Sequence, residues 1–286
     1  MAVAAVVGAG GAFAYVANGE IRAETRAGPA GPASHGVLVN PDDPASQPPA
    51  TTAAAPAPAP PVPSPILPFN AKLTSQDIPV AGGGVRSGAC SGALIAPEWV
   101  VTAGHCFRNL NDVRIGGKPP FTMTVTVGKL KDSDPGGHTV QVVDVRQSGV
   151  NDLAVVKLSA PIADIVPLTL ASKKPTVGQQ LQFAGWGSLS ATVIAPSDHL
   201  KRGQFVVKKI AQSTMEAQPV GPRTVENGPC PQDSGAPFFV SDDERTGLLV
   251  AIVNTGPPCP QPGREIIARV DVVSDWIRQQ TQNTAQ

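Results

Sequence analysis

From Lys72 onward, short apolar runs alternate with turn-forming Gly, Pro and Asp. The runs are Gly92 to Ile95, Trp99 to Thr102, Phe121 to Val127, Thr139 to Val145, Leu153 to Leu158, Leu181 to Gly185, Gln204 to Ile210, Pro237 to Val240, Leu248 to Val253 and Ile266 to Val270. Many short β-prone segments at this spacing, with almost no 3.6-residue period between them, predict an all-β sandwich or barrel. Only Asp271 to Gln280 has a helical pattern, with Val272, Val273, Trp276 and Ile277 on one face. A packed C-terminal helix is expected there.

The first quarter of the chain has a different pattern. Met1 to Ala17 is an Ala/Val/Gly-rich apolar run with no positive residue ahead of it. It is too short for a membrane-spanning helix and about the length of a signal-peptide core. Residues 1–27 therefore read as a signal-like or anchor segment, with cleavage near Ala14 or Ala17 if removed. Residues 28–70 are dominated by Pro, Ala, Ser and Thr, centred on Ala53 to Pro61. Such a stretch buries too little apolar surface to offset chain entropy, so a disordered, semi-extended linker is expected. The folded domain is expected at 71–286.

Lys+Arg and Asp+Glu are equal at 22 each over 286 residues. Nothing in that balance favours a polyanionic partner, and nucleic acid is excluded as an expected ligand. The pairs Lys201-Arg202 and Lys208-Lys209 read as solvated strand and loop positions. Four cysteines allow three disulfide connectivities, which spacing alone does not separate. A zinc site built on His105, Cys106 and Cys90 lacks the paired ligand spacing such sites favour, so no metal is expected.

The chemistry-bearing stretch is Gly228 to Pro237, Gly-Pro-Cys-Pro-Gln-Asp-Ser-Gly-Ala-Pro, in which turn residues present Ser234. A serine becomes a nucleophile only with a base in reach and a third group to orient that base. Val100 to Cys106 supplies His105 after an apolar strand, and Asn151 to Leu158 supplies Asp152 at the mouth of another. In order and context these segments resemble the motifs of the chymotrypsin/trypsin family of serine peptidases. Cys90 to Ile95 resembles the strand before the family's histidine, Phe183 to Gly187 its Gly-Trp-Gly segment, and Asp275 to Ile277 its C-terminal helix. The resemblance runs from about Lys72 to Gln279 and is read as a bacterial-type, secreted member.

The resemblance implies two six-stranded antiparallel barrels, about 71–172 and 173–286, with the helix packed on the second. It implies disulfides Cys90–Cys106 and Cys230–Cys259. Ser234 is implied as nucleophile, His105 as base and Asp152 as its orienting partner, with no cofactor and with protein or peptide substrates. A monomer is expected, associated with a membrane or cell wall through its N-terminal segment if that segment is retained. The oxyanion hole falls on the N–H groups of Gln232 and Ser234, where Gln232 and Ala236 replace the family's glycines. Asn254 stands where the family has a serine that bonds the aspartate.

Asp233 corresponds to a buried carboxylate that the family pairs with the amine freed by N-terminal cleavage. No hydrophobic-Val-Gly-Gly sequence is present: Ile78 to Gly83 lies too close to Cys90, and Ile66-Leu67 matches poorly. Another cation, an arginine, is expected to pair with it. The base of the primary substrate pocket falls at Gly228, which points to small or apolar side chains, and Gly256 leaves its entrance open. Glu265, on the opposite wall, would restore a preference for basic side chains. The two functions in view are a secreted serine endopeptidase and a catalytically impaired homologue acting as an extracytoplasmic binding module.

Overall fold

The computed structural model describes residues 66–282, and the expected signal-like segment and nearly all of the expected linker lie outside them. The linker boundary placed at residue 70 is too late. Leu67 and Phe69 are already buried, so the folded body takes in the last residues assigned to the linker.

Six strands close the first barrel: β1 (Asn70–Pro79), β2 (Val85–Ala96), β3 (Trp99–Thr102), β4 (Thr122–Val127), β5 (His138–Gln147) and β6 (Ala154–Leu158). Their order is β1-β2-β3-β6-β5-β4, with β1 pairing antiparallel to β4 to complete the circle. β1 escaped the apolar pattern because Asn70, Lys72 and Ser75 are among its buried residues. The second barrel comprises β8 (Gln180–Gly185), β9 (Lys201–Ile210), β10 (Thr214–Pro219), β11 (Pro237–Val240), β12 (Leu248–Thr255) and β13 (Glu265–Arg269). It closes through the β11–β12 pairing, while the short β7 (Thr169–Leu170) lies parallel to β12 at its edge. The two six-stranded antiparallel barrels are as expected, but β7 already belongs to the second sheet. The break therefore falls between Leu158 and Thr169, ahead of residue 172.

Alternation with period two sets both interiors. In the second barrel Phe183, Phe205 and Phe238 meet at ring-centroid distances of 5.0 to 6.0 Å, surrounded by Leu181, Val207, Met215, Val250 and Ile267. The first barrel's core is continuous with the interbarrel seam, taking in Trp186, Phe239, Ile252 and Val270.

The helix α1 (Ser274–Gln282) begins three residues later than the periodicity suggests. Val273 and Ile277 are buried in the first-barrel and seam cluster, with Val272 and Trp276 against it, and Arg146 of β5 donates to the Gln280 carbonyl at 2.5 Å. The helix thus straps the two barrels together instead of sitting on the second alone. The apolar face was read correctly, but a sequence does not name the surface it meets.

Candidate active site

His105 sits in a single 3₁₀ turn, Gly104–Cys106, that ends β3. Asp152 lies just before β6, and β3 and β6 are antiparallel neighbours pairing Thr102 with Ala154, so the two loops leave the same barrel end together. Gly104 is required there, because a Cβ would come within 2.8 Å of Asp152 Oδ1. His105 Nδ1 lies 2.6 Å from Asp152 Oδ2, and the His105 backbone N–H donates to Asp152 Oδ1 at 2.9 Å. A carboxylate only accepts, so the proton is on Nδ1 and Nε2 accepts from the Ser234 hydroxyl at 2.7 Å. Burial pushes the Asp152 carboxyl up, but the His105 ring, the Arg114 guanidinium and the His105 N–H outweigh it and hold it below its ordinary 3.8.

Arg114 had not been singled out in the sequence; its Nη1 is 3.5 Å from Asp152 Oδ1 and donates to the Asn151 carbonyl at 3.1 Å. Asn254, at the position of the family's aspartate-bonding serine, makes no bond to Asp152 and lies on the wall of a cavity beside Ser234, among the residues expected to line the substrate pocket. The aspartate's additional partner is a charge from its own barrel. Asn151 Nδ2 donates across to the Arg269 carbonyl at 2.8 Å, fixing the aspartate loop of the first barrel against the second.

The loop carrying Ser234 is clamped from several sides. Ser91 N–H donates to the Ser234 carbonyl at 2.9 Å, and Ser91 Oγ donates to the Gln232 carbonyl at 3.2 Å. Gly235, at φ +85°, packs so closely on β2 and β3 that a side chain there would collide with Thr102 and Ala103. Gln232 adopts φ +75°, in the left-handed region where a non-glycine residue costs about 1–2 kcal/mol. The Pro231 carbonyl accepts from Ser188 N–H at 2.8 Å, and in a planar trans peptide this aims the Gln232 N–H the opposite way. Among the described residues neither the Gln232 nor the Ser234 amide donates to a protein acceptor. Both are available donors beside the hydroxyl.

Asp233 is fully buried, and its partner is Lys201, not an arginine: Nζ lies 2.5 Å from Oδ2. Lys201 had been read as a solvated member of a basic pair. It is 1% exposed because it shares the inward parity of Phe205 and Val207 on β9. Gly187 and Cys230 N–H groups donate to the two carboxylate oxygens at 2.7 and 2.8 Å. Gly185 and Gly187 pack so tightly on this carboxylate that a Cβ on either would overlap it. Burial pushes the Asp233 carboxyl up against the opposing pull of Lys201 and the two amides.

The cysteines pair as Cys90–Cys106, which braces the histidine turn, and Cys230–Cys259, which joins the serine loop to the segment after β12. That second bridge borders a cavity of about 270 Å³ lined by Ser234, Asn254, Gly256, Glu265 and Arg223. Gly228 lies behind it, packed on the stem of Arg223. Glu265 and Arg223, 1% and 2% exposed in their side chains, form an ion pair at 2.8 Å. Burial pushes the Glu265 carboxyl up to about 7 despite that guanidinium. His138 pairs with Asp164, and His199 lies between Asp198 and Glu226, all partly or largely exposed and away from this site.

A two-barrel body with an Asp–His–Ser relay at the seam defines the chymotrypsin-like class of fold and site. Residues 68–277 match the family model described as Trypsin, and the chain belongs to that family. It is 27% identical to mouse "Epidermal growth factor-binding protein type B" over 73% of this chain and 87% of the relative. It is also 27% identical to "Snake venom serine protease homolog 2" of Macrovipera lebetinus, over 72% and 83% of the two chains. Among solved structures it is similar to neuropsin, a serine protease expressed in the limbic system of mouse brain. That match has a TM-score of 0.58 at 21% identity and covers 75% of this chain and 95% of the other, a likeness of fold alone. These relatives are mouse and snake proteins and give no support to a bacterial-type assignment.

Proposed function

We propose that the chain is a serine endopeptidase working by acyl transfer. The observation that carries the reading is the His105 ring held at 2.6 Å by Asp152 on one nitrogen and at 2.7 Å by Ser234 on the other. Ser234 Oγ attacks the scissile carbonyl while its proton passes to His105 Nε2, and Asp152 balances the imidazolium. The oxyanion takes the Gln232 and Ser234 N–H groups, and His105 returns the proton to the leaving amine. Water, activated by the same ring, then releases the acyl group and restores Ser234. Two disulfides favour an oxidising, extracytoplasmic setting. The partners of this reading are protein or peptide chains met by a secreted monomer.

A second reading, an impaired homologue that binds without turnover, is favoured by one observation: a glutamine in the left-handed conformation where the family has glycine. A fluorophosphonate probe separates the two. The enzyme reading expects covalent labelling at Ser234 and its loss in Ser234→Ala; a folded, disulfide-intact chain that stays unlabelled refutes it.

A further inference from the structure

The cavity beside Ser234 has Gly256 on its wall and Gly228 behind it, yet the room these glycines leave is already taken. The stem of Arg223 lies against Gly228, where a Cβ would come within 2.9 Å of its Cγ and Nε. The carboxylate of Glu265 lies against Gly256 so closely that a Cβ there would overlap it. Arg223 Nη2 meets Glu265 Oε1 at 2.8 Å and also donates to the Pro229 carbonyl, while Nη1 donates to the Gln261 carbonyl at 2.8 Å and the Pro257 carbonyl at 3.2 Å. A guanidinium ringed by a carboxylate and backbone carbonyls is how an arginine side chain of a substrate would be bound in such a pocket. Here the chain's own residue has that place. The Cys230–Cys259 bridge ties the walls together, so a second cation gains no space by splaying them.

We infer that Arg223 is a built-in occupant of the substrate pocket, neutralising Glu265 and restricting the side chain ahead of the scissile bond to short, uncharged ones. This rests on the peptidase reading and deepens it. Glu265 alone would select basic side chains; paired, it has no free charge to offer. The pair also lowers the cost of burying this carboxylate, since a lone buried charge is costly and an ionic partner at 2.8 Å offsets part of that cost.

The test uses benzamidine, a flat cation that matches a carboxylate through paired N–H bonds, with binding measured by calorimetry on the full chain at about pH 8, above the value of about 7 to which burial raises Glu265. The wild-type chain is expected to leave it unbound up to millimolar concentration. Arg223→Ala is expected to bind it at least about tenfold tighter, and Arg223→Ala/Glu265→Gln to lose that gain. Peptide substrates supply a second measurement on the wild-type chain alone, which decides the matter even where Arg223→Ala does not fold. Cleavage after Ala or Ser is expected to exceed cleavage after Arg or Lys by at least about tenfold. Wild-type binding of benzamidine below about 1 mM, or a wild-type preference for Arg or Lys, overturns the assignment. Calorimetry needs no turnover: an inert Ser234 would sink the peptidase reading and leave the pocket result legible.

Discussion

Lys201 is where a single change should do the most damage without touching the reacting atoms. Its ammonium is the counter-charge of a carboxylate with no exposure, and that carboxylate belongs to the residue between Gln232 and Ser234. Lys201→Met keeps the stem's volume and removes the charge, leaving Asp233 with only the amides of Gly187 and Cys230. Breaking a buried pair from one side costs about 3–5 kcal/mol. At about 2–4 °C per kcal/mol for a domain of this size, the midpoint of thermal unfolding should fall by roughly 6–20 °C. Replacing both partners, Lys201→Met with Asp233→Asn, should recover a large part of the loss, and the cycle built from the singles measures their coupling. Stability is read by urea unfolding, and loop geometry by the rate of fluorophosphonate labelling well below the variant's own midpoint. The labelling rate should drop by at least about tenfold, since one misplaced oxyanion donor is worth that or more. Because the counter-charge comes from within the domain, the chain should also be labelled without any cleavage ahead of Ile66. A loss below about 1 kcal/mol, or labelling at the wild-type rate, would refute the view that this ion pair holds the serine loop.

Other outcomes follow from the same coordinates. Gln232→Gly removes a left-handed non-glycine residue whose cost is about 1–2 kcal/mol, partly cancelled by the greater freedom of glycine in the unfolded chain. A gain of up to about 1 kcal/mol in urea unfolding is expected, with labelling changed by less than about tenfold; a rise of several orders of magnitude would instead favour the impaired reading. Glu265 has a folded-state carboxyl raised from 4.5 to about 7 by burial, against Arg223 and Lys201 and with Asp233 adding to the rise. The folded state then binds more protons than the unfolded one between those values, so its contribution is full below pH 4.5 and is lost as pH approaches 7, by up to about 3 kcal/mol. Urea midpoints across that window should fall less steeply in Glu265→Gln, and parallel slopes would contradict the assignment.

The architecture could be read from the chain because apolar runs broken by turn residues are a direct print of strand packing. The strands that escaped have polar residues buried within them or flanking them. β1 carries Asn70, Lys72 and Ser75 inward, and β10, Thr214–Pro219, alternates too weakly to stand out. The relay of His105, Asp152 and Ser234 was legible for another reason: each member sits at a strand end whose neighbours are themselves constrained, so motif and geometry coincide.

The charges around that relay were harder to see, and the reason is physical. A lysine or arginine in a sequence carries no mark of its partner, and the usual expectation puts it in water. Lys201 could have been found by parity, two and four residues before Gly203 and Phe205 on the inward face of β9, once the need for a cation at Asp233 was recognised. Arg223 could not: it lies in the loop between β10 and β11, where no period applies, and only the fold brings it against Glu265. Both cations do work that the family resemblance assigns to something outside the pocket, Lys201 standing in for a freed terminus and Arg223 for a substrate side chain. The substitutions are linked through charge, since Lys201, Asp233, Glu265 and Arg223 are close enough to shift one carboxyl together. A loop assembled by an internal lysine and a pocket neutralised by an internal arginine make the same demand: each buried carboxylate needs its own buried cation, and removing one partner leaves the other uncompensated.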